Sequence, residues 1–215
     1  MKVSLPQLPA QLEPATNLAL LLTLDETLTQ VLITSEDITG LQVKGFSTSE
    51  VSFDKVIMSG TKFEKAGLAD VILSGCDLIA TSFSDTSWQR VHIKGSRCSG
   101  LQLQMGILKD ITFTDCKLNL ANFRFAKLTN VLFDNCVLDE ADFYAAQLMN
   151  IQFKNCTLIK TQFSGSKLKA VDLRSSDMFN VLGIGSLGGA TIDSTQLMAL
   201  APLLAAEFKI KVSDT

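Results

Sequence analysis

The hydrophobic pattern of this chain has a period of five residues. From residue 51 to residue 178 an apolar residue, most often Leu or Phe, returns at every fifth position. Two positions before it stands a small or β-branched residue, as Ala121 precedes Phe123 and Ala141 precedes Phe143. A helix repeats its apolar face every 3.6 residues and a strand every two, so neither element alone gives this period. A long, fixed repeat is typical of a solenoid, and here one unit of five residues predicts one side of a coil.

A second period of twenty residues is superimposed on the first. Twenty residues are four units of five, so each coil has four sides and residues twenty apart stack along the axis. About six and a half coils between Val51 and Gly183, spaced by about 4.8 Å, predict a rod on the order of 30 Å long before its ends are added. The sequence therefore predicts a β-helix of square section. One stacked column reads Val51, Val71, Val91, Ile111, Val131, Ile151 and Val171.

The repeat unit resembles the motif of a known family. Ala121-Asn122-Phe123 and Ala141-Asp142-Phe143 are similar to the A-(D/N)-L-x-x unit of the pentapeptide repeat proteins. The resemblance implies an all-β solenoid, namely a right-handed quadrilateral β-helix with a short helical cap at its C-terminus. The best-understood members of the family are quinolone-resistance proteins that dimerise through a C-terminal helix, mimic duplex DNA and act on DNA gyrase. The motif is specific for the fold, whereas the functions of most members are unassigned.

Departures from the period divide the chain into three predicted parts. These are an N-terminal extension or degenerate capping coil at residues 1–50, a pentapeptide-repeat β-helix at 51–185, and a helical cap or dimerisation segment at 186–215. In the first part the period of five continues, but Glu26 and Glu36 stand where small inward residues belong. Residues 46–49 break the pattern, and they predict a bulge.

The C-terminal part predicts a helical cap that also joins two copies of the chain. Asp193 or Ser194 is a typical N-cap, and Pro202 predicts a break between two short helical pieces. Ile210 and Val212 alternate with lysines, which predicts a final strand. The apolar stripe is larger than one cap needs, and a two-fold contact would bury it, so we predict a homodimer. The stripe comprises Leu197, Leu200, Leu203, Leu204 and Phe208.

Composition is compatible with a soluble, cytoplasmic protein. The chain is 47% hydrophobic with a mean hydropathy of +0.26, and the inward columns account for this excess. Its longest apolar stretch near the N-terminus covers residues 18–22, far fewer than the ~20 residues that cross a bilayer. Only Lys2 precedes it as a basic residue, and no small-residue cleavage site follows. We therefore expect no secretory signal.

Four of the five cysteines occupy a single column. Cys76, Cys116, Cys136 and Cys156 are spaced by multiples of twenty, and Cys98 stands at a central position of another column. One interpretation of this column is a row of metal sites or a series of disulfides. Metal ligands converge from several directions, however, whereas residues of one column all point the same way. We therefore interpret the cysteines as small core residues and predict neither a metal site nor a cofactor.

Trp88 is the only tryptophan and stands in a column that otherwise holds leucine. An indole in a narrow core requires a smaller neighbour. Cys98, across the coil, and Gly106, in the next coil, are the two candidates. We interpret Trp88 as a core residue rather than an exposed recognition residue.

No group of residues predicts an enzyme. His92, the only histidine, follows Val91 at an outward position and has no recurring Cys or carboxylate beside it. Residues 183–188 match the pattern G-x-G-x-x-G, but the nucleotide-binding version requires a preceding strand, a following helix and a βαβ unit. Here the glycines follow a solenoid, so we interpret them as residues that release the chain from its last coil. We predict no catalytic and no cofactor-binding residues.

Charge limits the analogy with gyrase-binding relatives. Residues 51–185 contain 13 acidic and 15 basic residues, whereas residues 1–50 contain six acidic and two basic ones. A DNA mimic needs a continuous acidic surface, since duplex DNA carries one charge per ~1.7 Å of its axis. Direct nucleic-acid binding is also disfavoured, because the basic residues are dispersed and the pI is ≈ 5.2.

Apolar residues at outward or corner positions indicate a contact site for a partner. Single exposed apolar residues are normal and corner residues are partly buried, but several within three successive coils are typical of an interface. Two hypotheses therefore stay open: a non-catalytic scaffold that binds an unknown protein, and a DNA-mimicking protein that binds DNA gyrase and protects it from quinolones or a toxin. The predicted contact residues are Met105, Leu120, Phe125, Tyr144 and Met149.

Overall fold

The computed structural model of the chain describes residues 2–24 and 27–213. It is a parallel β-solenoid of about nine turns with a short C-terminal helix, as the sequence predicts. Its elements, in chain order, are β1 (Glu13–Ala15), α1 (Leu18–Leu21), β2 (Leu28–Thr29), β3 (Val31–Thr34), β4 (Gln42–Lys44), β5 (Ser47–Asp54), β6 (Lys62–Glu64), β7 (Gly67–Ser74), β8 (Ser87–Lys94), β9 (Ile107–Thr114), β10 (Lys127–Asp134), β11 (Gln147–Lys154), β12 (Lys167–Asp172), a 3₁₀ turn (Ile184–Ser186), β13 (Ala190–Thr191) and α2 (Ser194–Glu207).

Strand register confirms that residues twenty apart stack. Val131 pairs with Ile111 in the preceding coil and with Ile151 in the following one, always in parallel. In the coil of residues 126–145, sides one to four are residues 126–130, 131–135, 136–140 and 141–145. Sides one and two form the long eight-residue strands, whereas sides three and four form single bridges such as Asn122 with Asp142.

The last residue of most units turns the corner in the left-handed backbone region. Asn130, Asn135, Glu140 and Ala145 have φ of 55°, 54°, 57° and 54°. Glycine, asparagine and aspartate adopt this conformation most readily. Their frequency at the fifth position of each unit is therefore a consequence of the corner geometry.

Two stacks of phenylalanine rings fill the centre of the C-terminal coils. Rings twenty residues apart lie 4.7–5.4 Å apart with nearly parallel planes, and the two stacks meet edge to face at 5.9–6.5 Å. Such contacts add to the stabilisation from burial alone. Trp88 is 1% exposed and meets the Phe83 ring edge-on at 5.0 Å, which confirms it as a core residue. The stacks are Phe113, Phe133 and Phe153, and Phe123, Phe143 and Phe163.

The cysteines are core residues, as predicted, and the four of the shared column also act as hydrogen-bond donors. All five lie in the described part of the chain, buried and unpaired. The Cys116 thiol lies 3.2 Å from the Thr114 carbonyl and 3.5 Å from the Ile93 carbonyl, and the other thiols of its column repeat this pattern. Ser176 continues the column, and its hydroxyl donates to the Phe153 carbonyl at 3.1 Å. Burial raises the pKa of Cys76 to about 11, so its thiol stays protonated.

Residues 46–49 do not bulge, so that prediction was wrong. Phe46 is buried, and Ser47 and Thr48 pair in register with Gly67 and Leu68 within β5 and β7. The polar residues of this segment are therefore accommodated within a regular strand. The division of the chain at residues 50 and 185 stays a prediction.

The N-terminal end is closed by β1 and α1. Pro14 in β1 pairs with Leu32 of β3, and a proline blocks further pairing at a sheet edge. Leu18 and Leu22 are buried over the first coil. The Glu36 carboxylate accepts hydrogen bonds from the Asn17 N–H at 2.9 Å and the Leu18 N–H at 3.4 Å, so a charge replaces a small residue there for a structural reason. Glu26 lies outside the described residues.

The C-terminal end is closed by α2, which is one continuous helix. Asp193 is its N-cap, as predicted, and forms a capping box with Gln196. The predicted break at Pro202 was wrong, because Leu200 and Leu203 pack against the solenoid on both sides of the proline and hold the helix in place. The predicted strand at residues 209–212 was also wrong. Within these described residues Ile210 and Val212 are exposed and no strand forms.

Candidate interaction surface

The corner between sides four and one exposes bulky apolar residues. Met105 and Phe125 occupy the same corner column one coil apart, and they are 55% and 52% exposed. Both have φ of 59°, in the left-handed region. This conformation costs an ordinary residue about 1–2 kcal/mol, and a bulky residue there is unusual. The same column elsewhere holds Asp85, Ala145 and Gly165, so its geometry does not require a large side chain.

Phe125 belongs to a compact cluster with Tyr144, Arg124 and Asp142. The Tyr144 ring meets the Phe125 ring edge-on at 5.7 Å. The Arg124 guanidinium lies 4.4 Å from the centre of the Tyr144 ring and 5.7 Å from that of Phe125. One of its terminal nitrogens donates to the Asp142 carboxylate at 2.8 Å. The arginine is thus held by a cation–π contact and an ion pair.

Ile107 extends this surface onto side one. It is exposed and is separated from Met105 by Gly106 alone. Both residues line a shallow groove of about 360 Å³ that also borders Ser87. We define the corner patch as Met105, Ile107, Arg124, Phe125 and Tyr144. The sequence-based prediction missed Ile107 and Arg124, although their outward positions follow from the period.

Two predicted contact residues lie away from the corner patch. Leu120, with φ of 58°, is exposed at the opposite edge of side four. Met149 is exposed on side one, where it pairs in register with Thr129 and Lys169. The structure therefore brings together Met105, Phe125 and Tyr144 but not all five residues.

The C-terminal stripe divides between the core and the surface. Leu200 is 3% exposed, and Leu203 and Leu204 pack against the last coil of their own chain. Leu197 and Phe208 point to solvent. Of the five residues predicted at a dimer contact, only Leu197 on α2 and Phe208 directly after it are exposed.

Stacked ion pairs neutralise many outward carboxylates. Arg90 binds Asp70 through two nitrogens, at 2.6 and 2.5 Å, and this hydrogen bonding lowers the pKa of Asp70. Other pairs join residues of the same or adjacent coils. The described residues therefore form a surface of mixed charge. The further pairs are Arg97 with Asp77, Arg124 with Asp142, Lys154 with Asp134, and Arg174 with Asp172.

The remaining sequence features have structural roles. His92 is half-buried with its Nε2 3.1 Å from the Thr114 hydroxyl, and burial lowers its pKa. Gly183 has φ of 75° and precedes the 3₁₀ turn, and a side chain there would collide with the backbone of Ser164. The chain pairs again with the preceding coil after these glycines, as Ala190 of β13 pairs with Val171 of β12, so the prediction that they release it from its last coil was wrong. None of the helices in the described part of the chain has the length and apolar character that a bilayer crossing requires.

Comparison with known proteins identifies the family. The profile of the pentapeptide repeat region matches residues 46–123 and 126–181, which is more than half of the chain. The protein therefore belongs to the pentapeptide repeat family. No curated protein sequence matches the chain significantly.

Two solved structures have similar coils. HetL, a pentapeptide repeat protein involved in regulation of heterocyst differentiation in Nostoc sp. PCC 7120, is 19% identical over 78% of this chain and 90% of its own, with a TM-score of 0.44. QnrB1, a plasmid-mediated fluoroquinolone resistance protein, is 22% identical over 88% of this chain and 91% of its own, with a TM-score of 0.43. These similarities are too distant to transfer a function.

Proposed function

We propose that this protein is a non-catalytic scaffold that binds a protein partner through the corner patch. The observation that carries the proposal is the cluster of Phe125, Tyr144 and Arg124 at a corner where Met105 is also exposed. Met105 and Phe125 combine an unfavourable backbone conformation with exposure of apolar surface. The left-handed conformation belongs to every corner of the coil, but the exposed apolar side chains do not stabilise it, and clustered apolar residues on a surface are typical of an interface. The five buried, unpaired thiols are compatible with a reducing compartment such as the cytoplasm.

The composition of the corner patch fits a protein interface. Tyrosine, methionine and arginine are enriched at the centres of interfaces, and tyrosine and arginine dominate their binding energy. Arg124 is already held by Asp142 and the Tyr144 ring, so little side-chain freedom would be lost on binding. The rigid coils beneath would keep the patch in shape.

Asparagine substitution at the corners tests this proposal. Asparagine tolerates the left-handed conformation, so Phe125→Asn should remove the aromatic ring without disturbing the coil. Leu120→Asn is the matched control, since Leu120 is an exposed corner residue outside the cluster. The readout is affinity capture from the native lysate with quantitative mass spectrometry, followed by titration of the purified partner. We expect Phe125→Asn to weaken binding of that partner at least tenfold and Leu120→Asn to leave it unchanged. Equal binding by the wild type and both variants would contradict the proposal.

The alternative function is that of a DNA mimic that binds DNA gyrase and protects it from quinolones or a toxin. Membership of the family supports this alternative, and the stacked ion pairs and the mixed charge argue against it. A gyrase supercoiling assay with and without ciprofloxacin, titrated with the protein, separates the two. Protection or inhibition at micromolar protein would favour the mimic, and the absence of both would discard it.

We further propose that two chains associate through the exposed face of α2 and the residues after it. Leu197 and Phe208 are exposed together with Met198, Ile210 and Val212, and a self-complementary contact is the commonest way to cover such a surface. Light scattering should give a dimeric mass for the wild type and a monomeric mass for a Leu197→Glu, Phe208→Glu variant. Ala206→Glu is the control, because it adds a charge at an exposed position of the same helix without removing a large apolar group. A monomeric wild type at tens of micromolar would end the dimer proposal.

A further inference from the structure

The first residues of the chain lie lengthwise along the outside of the solenoid. The Ser4 N–H donates to the Asp110 carboxylate at 3.4 Å, and the Gln7 N–H donates to the Asp70 carboxylate at 2.9 Å. Farther on, the Glu13 N–H donates to the Gln30 carbonyl at 3.0 Å. Asp110, Asp70 and Gln30 share the corner column between sides one and two, and each is two coils from the next. Residues 2–12, here named the N-terminal strap, therefore run across the coils towards the N-terminal end.

The sequence of the strap repeats every three residues. Ser4-Leu5-Pro6 is followed by Gln7-Leu8-Pro9, so proline stands at every third position. Prolines at this spacing favour a polyproline II helix, in which three residues advance by about 9.3 Å. Two coils of the solenoid advance by about 9.6 Å. The N–H groups of Ser4 and Gln7 are thus spaced to meet carboxylates that recur every second coil.

The strap covers outward residues that would otherwise be accessible. Asp70 and Asp110 are 6% and 7% exposed, whereas Asn130 and Asn150, in the same column beyond the strap, are only half-buried. Thr112 is also buried, although it stands at an outward position of side two. We define the strap groove as Asp70, Arg90, His92, Asp110 and Thr112.

The strap groove is organised by the solenoid itself. Arg90 holds Asp70 with two hydrogen bonds, and Asn130 donates to Asp110 at 3.0 Å. By contrast, none of the described residues 2–12 is fully buried, and Leu5 is 62% exposed. The two carboxylates should therefore keep their positions if the strap leaves.

We propose that the strap groove is a binding site for an extended, proline-containing peptide of a partner protein, and that the strap occupies it as an intramolecular competitor. Two backbone N–H groups of the peptide, three residues apart, donate to Asp70 and Asp110. Prolines in the peptide preset its extended conformation. Because a preformed polyproline II segment loses little conformational freedom, it suits a shallow groove. The strap groove lies on a different corner from the corner patch, so neither proposal depends on the other.

Proline substitution within the full-length chain tests the proposal. Proline has no N–H group, so a Ser4→Pro, Gln7→Pro variant loses both donors while keeping the extended conformation. Ser4→Ala, Gln7→Ala is the matched control, because alanine keeps both N–H groups. A fluorescent peptide of residues 2–12 serves as the probe, and its anisotropy is measured against each full-length variant. We expect the peptide to bind the proline variant at least tenfold more tightly than the alanine variant or the wild type.

A second pair of variants ties the binding to the carboxylates. Adding Asp70→Ala and Asp110→Ala to the proline variant removes both acceptors and should abolish peptide binding, whereas adding Asp115→Ala, at an exposed corner of side two, should not. The proposal would be overturned if the proline and alanine variants bound the peptide equally well. It would also be overturned if the proline variant did not bind the peptide although its circular dichroism matched that of the wild type. If the wild type is a dimer and the proline variant is a monomer, the occupant of the strap groove is a second copy of the chain. That result would also overturn the proposal.

Discussion

The two ends of the solenoid expose the same kind of sheet edge but are closed by different chemistry. At the N-terminal end, four residues of helix and a short edge strand suffice. The N–H groups at the start of the helix donate to the Glu36 carboxylate, and those of the strap donate to Asp70 and Asp110. At the C-terminal end a 14-residue helix lies over the last coil. There a neutral amide, that of Gln196, donates to the Leu173 and Ser176 carbonyls at 2.7 Å.

The difference follows from which backbone groups need partners at each end. At the N-terminal end, the N–H groups of Asn17 and Leu18 at the start of α1 need an acceptor, which the Glu36 carboxylate provides, whereas the Leu173 and Ser176 carbonyls at the C-terminal end need donors. A side-chain amide supplies two donors without the desolvation cost of a buried charge. Each end is thus closed by side chains that pair with the backbone groups otherwise left without a partner there. Substitutions at the two ends should therefore have different effects.

The largest effect is expected for the apolar plug of the N-terminal end. Leu18→Ala should lower the free energy of unfolding by about 3 kcal/mol, because the buried side chain leaves a cavity. Leu20→Ala, in the same short helix but exposed, should change it by less than about 0.5 kcal/mol. Urea denaturation of the three proteins measures both values. Equal stabilities of the two variants would show that α1 does not plug the core.

The amide of the C-terminal end should rank second. Gln196→Met keeps the length of the side chain but removes the side-chain donor from the Ser176 carbonyl and one of two donors from the Leu173 carbonyl, so we expect a loss of about 2 kcal/mol. Met198→Gln, an exposed exchange of the same pair of residue types, is the control. A calorimetric transition unchanged by Gln196→Met would contradict the assignment of Gln196 to these carbonyls.

The N-cap of α2 should contribute less. Asp193→Ala removes the hydrogen bond to the Gln196 N–H and should cost about 1 kcal/mol. Native-state hydrogen exchange should show faster exchange confined to α2, while the amides of β9 to β11 stay protected. Faster exchange throughout the coils would mean that the cap and the coils unfold as one unit.

The smallest effect concerns pH and should distinguish the two ends. Hydrogen bonds from Arg90 and, after it, from the Gln7 N–H lower the pKa of Asp70. Only the Gln7 bond is lost when the strap leaves, so its contribution to strap docking is present above the pKa of the strap-free carboxyl group and is lost as the pH falls through the lower pKa of the strap-bound one. We expect acidification to loosen the strap by about 0.2–1 kcal/mol. The rate of hydrogen exchange at the Gln7 backbone N–H, corrected for the intrinsic pH dependence of exchange, measures this change. Asp70→Asn should remove the dependence, and a dependence that persists would place its source elsewhere.

The sequence allowed prediction of the coils because burial alone determines the inward positions. Every fifth residue faces the axis, so Phe123, Phe143 and even Trp88 could be placed in the core from their spacing. The contact between Arg124 and Tyr144 was within reach as well, since the two residues lie twenty apart and stack on successive coils. It was missed because outward side chains are not selected by burial and leave no periodic signal.

The ends were harder to predict because tertiary contacts override local rules there. Pro202 lies inside a helix that packing on both sides holds together. The strap runs across the coils, so its partners Asp70 and Asp110 are 63 and 106 residues away from Gln7 and Ser4. No local pattern reveals a contact at such separations.

The ladder hydrogen bonds have a mechanical consequence. They join consecutive coils and therefore run parallel to the long axis, as between Lys127 and Gly106 or Gln147 and Ala126. A force that pulls the ends apart along this axis stretches the bonds of one terminal coil at a time instead of shearing many at once. In single-molecule force spectroscopy the chain should lengthen in steps of twenty residues, about 70 Å each, and one abrupt extension of the whole chain would contradict this. The solenoid is thus stiff in cross-section and yields to tension turn by turn.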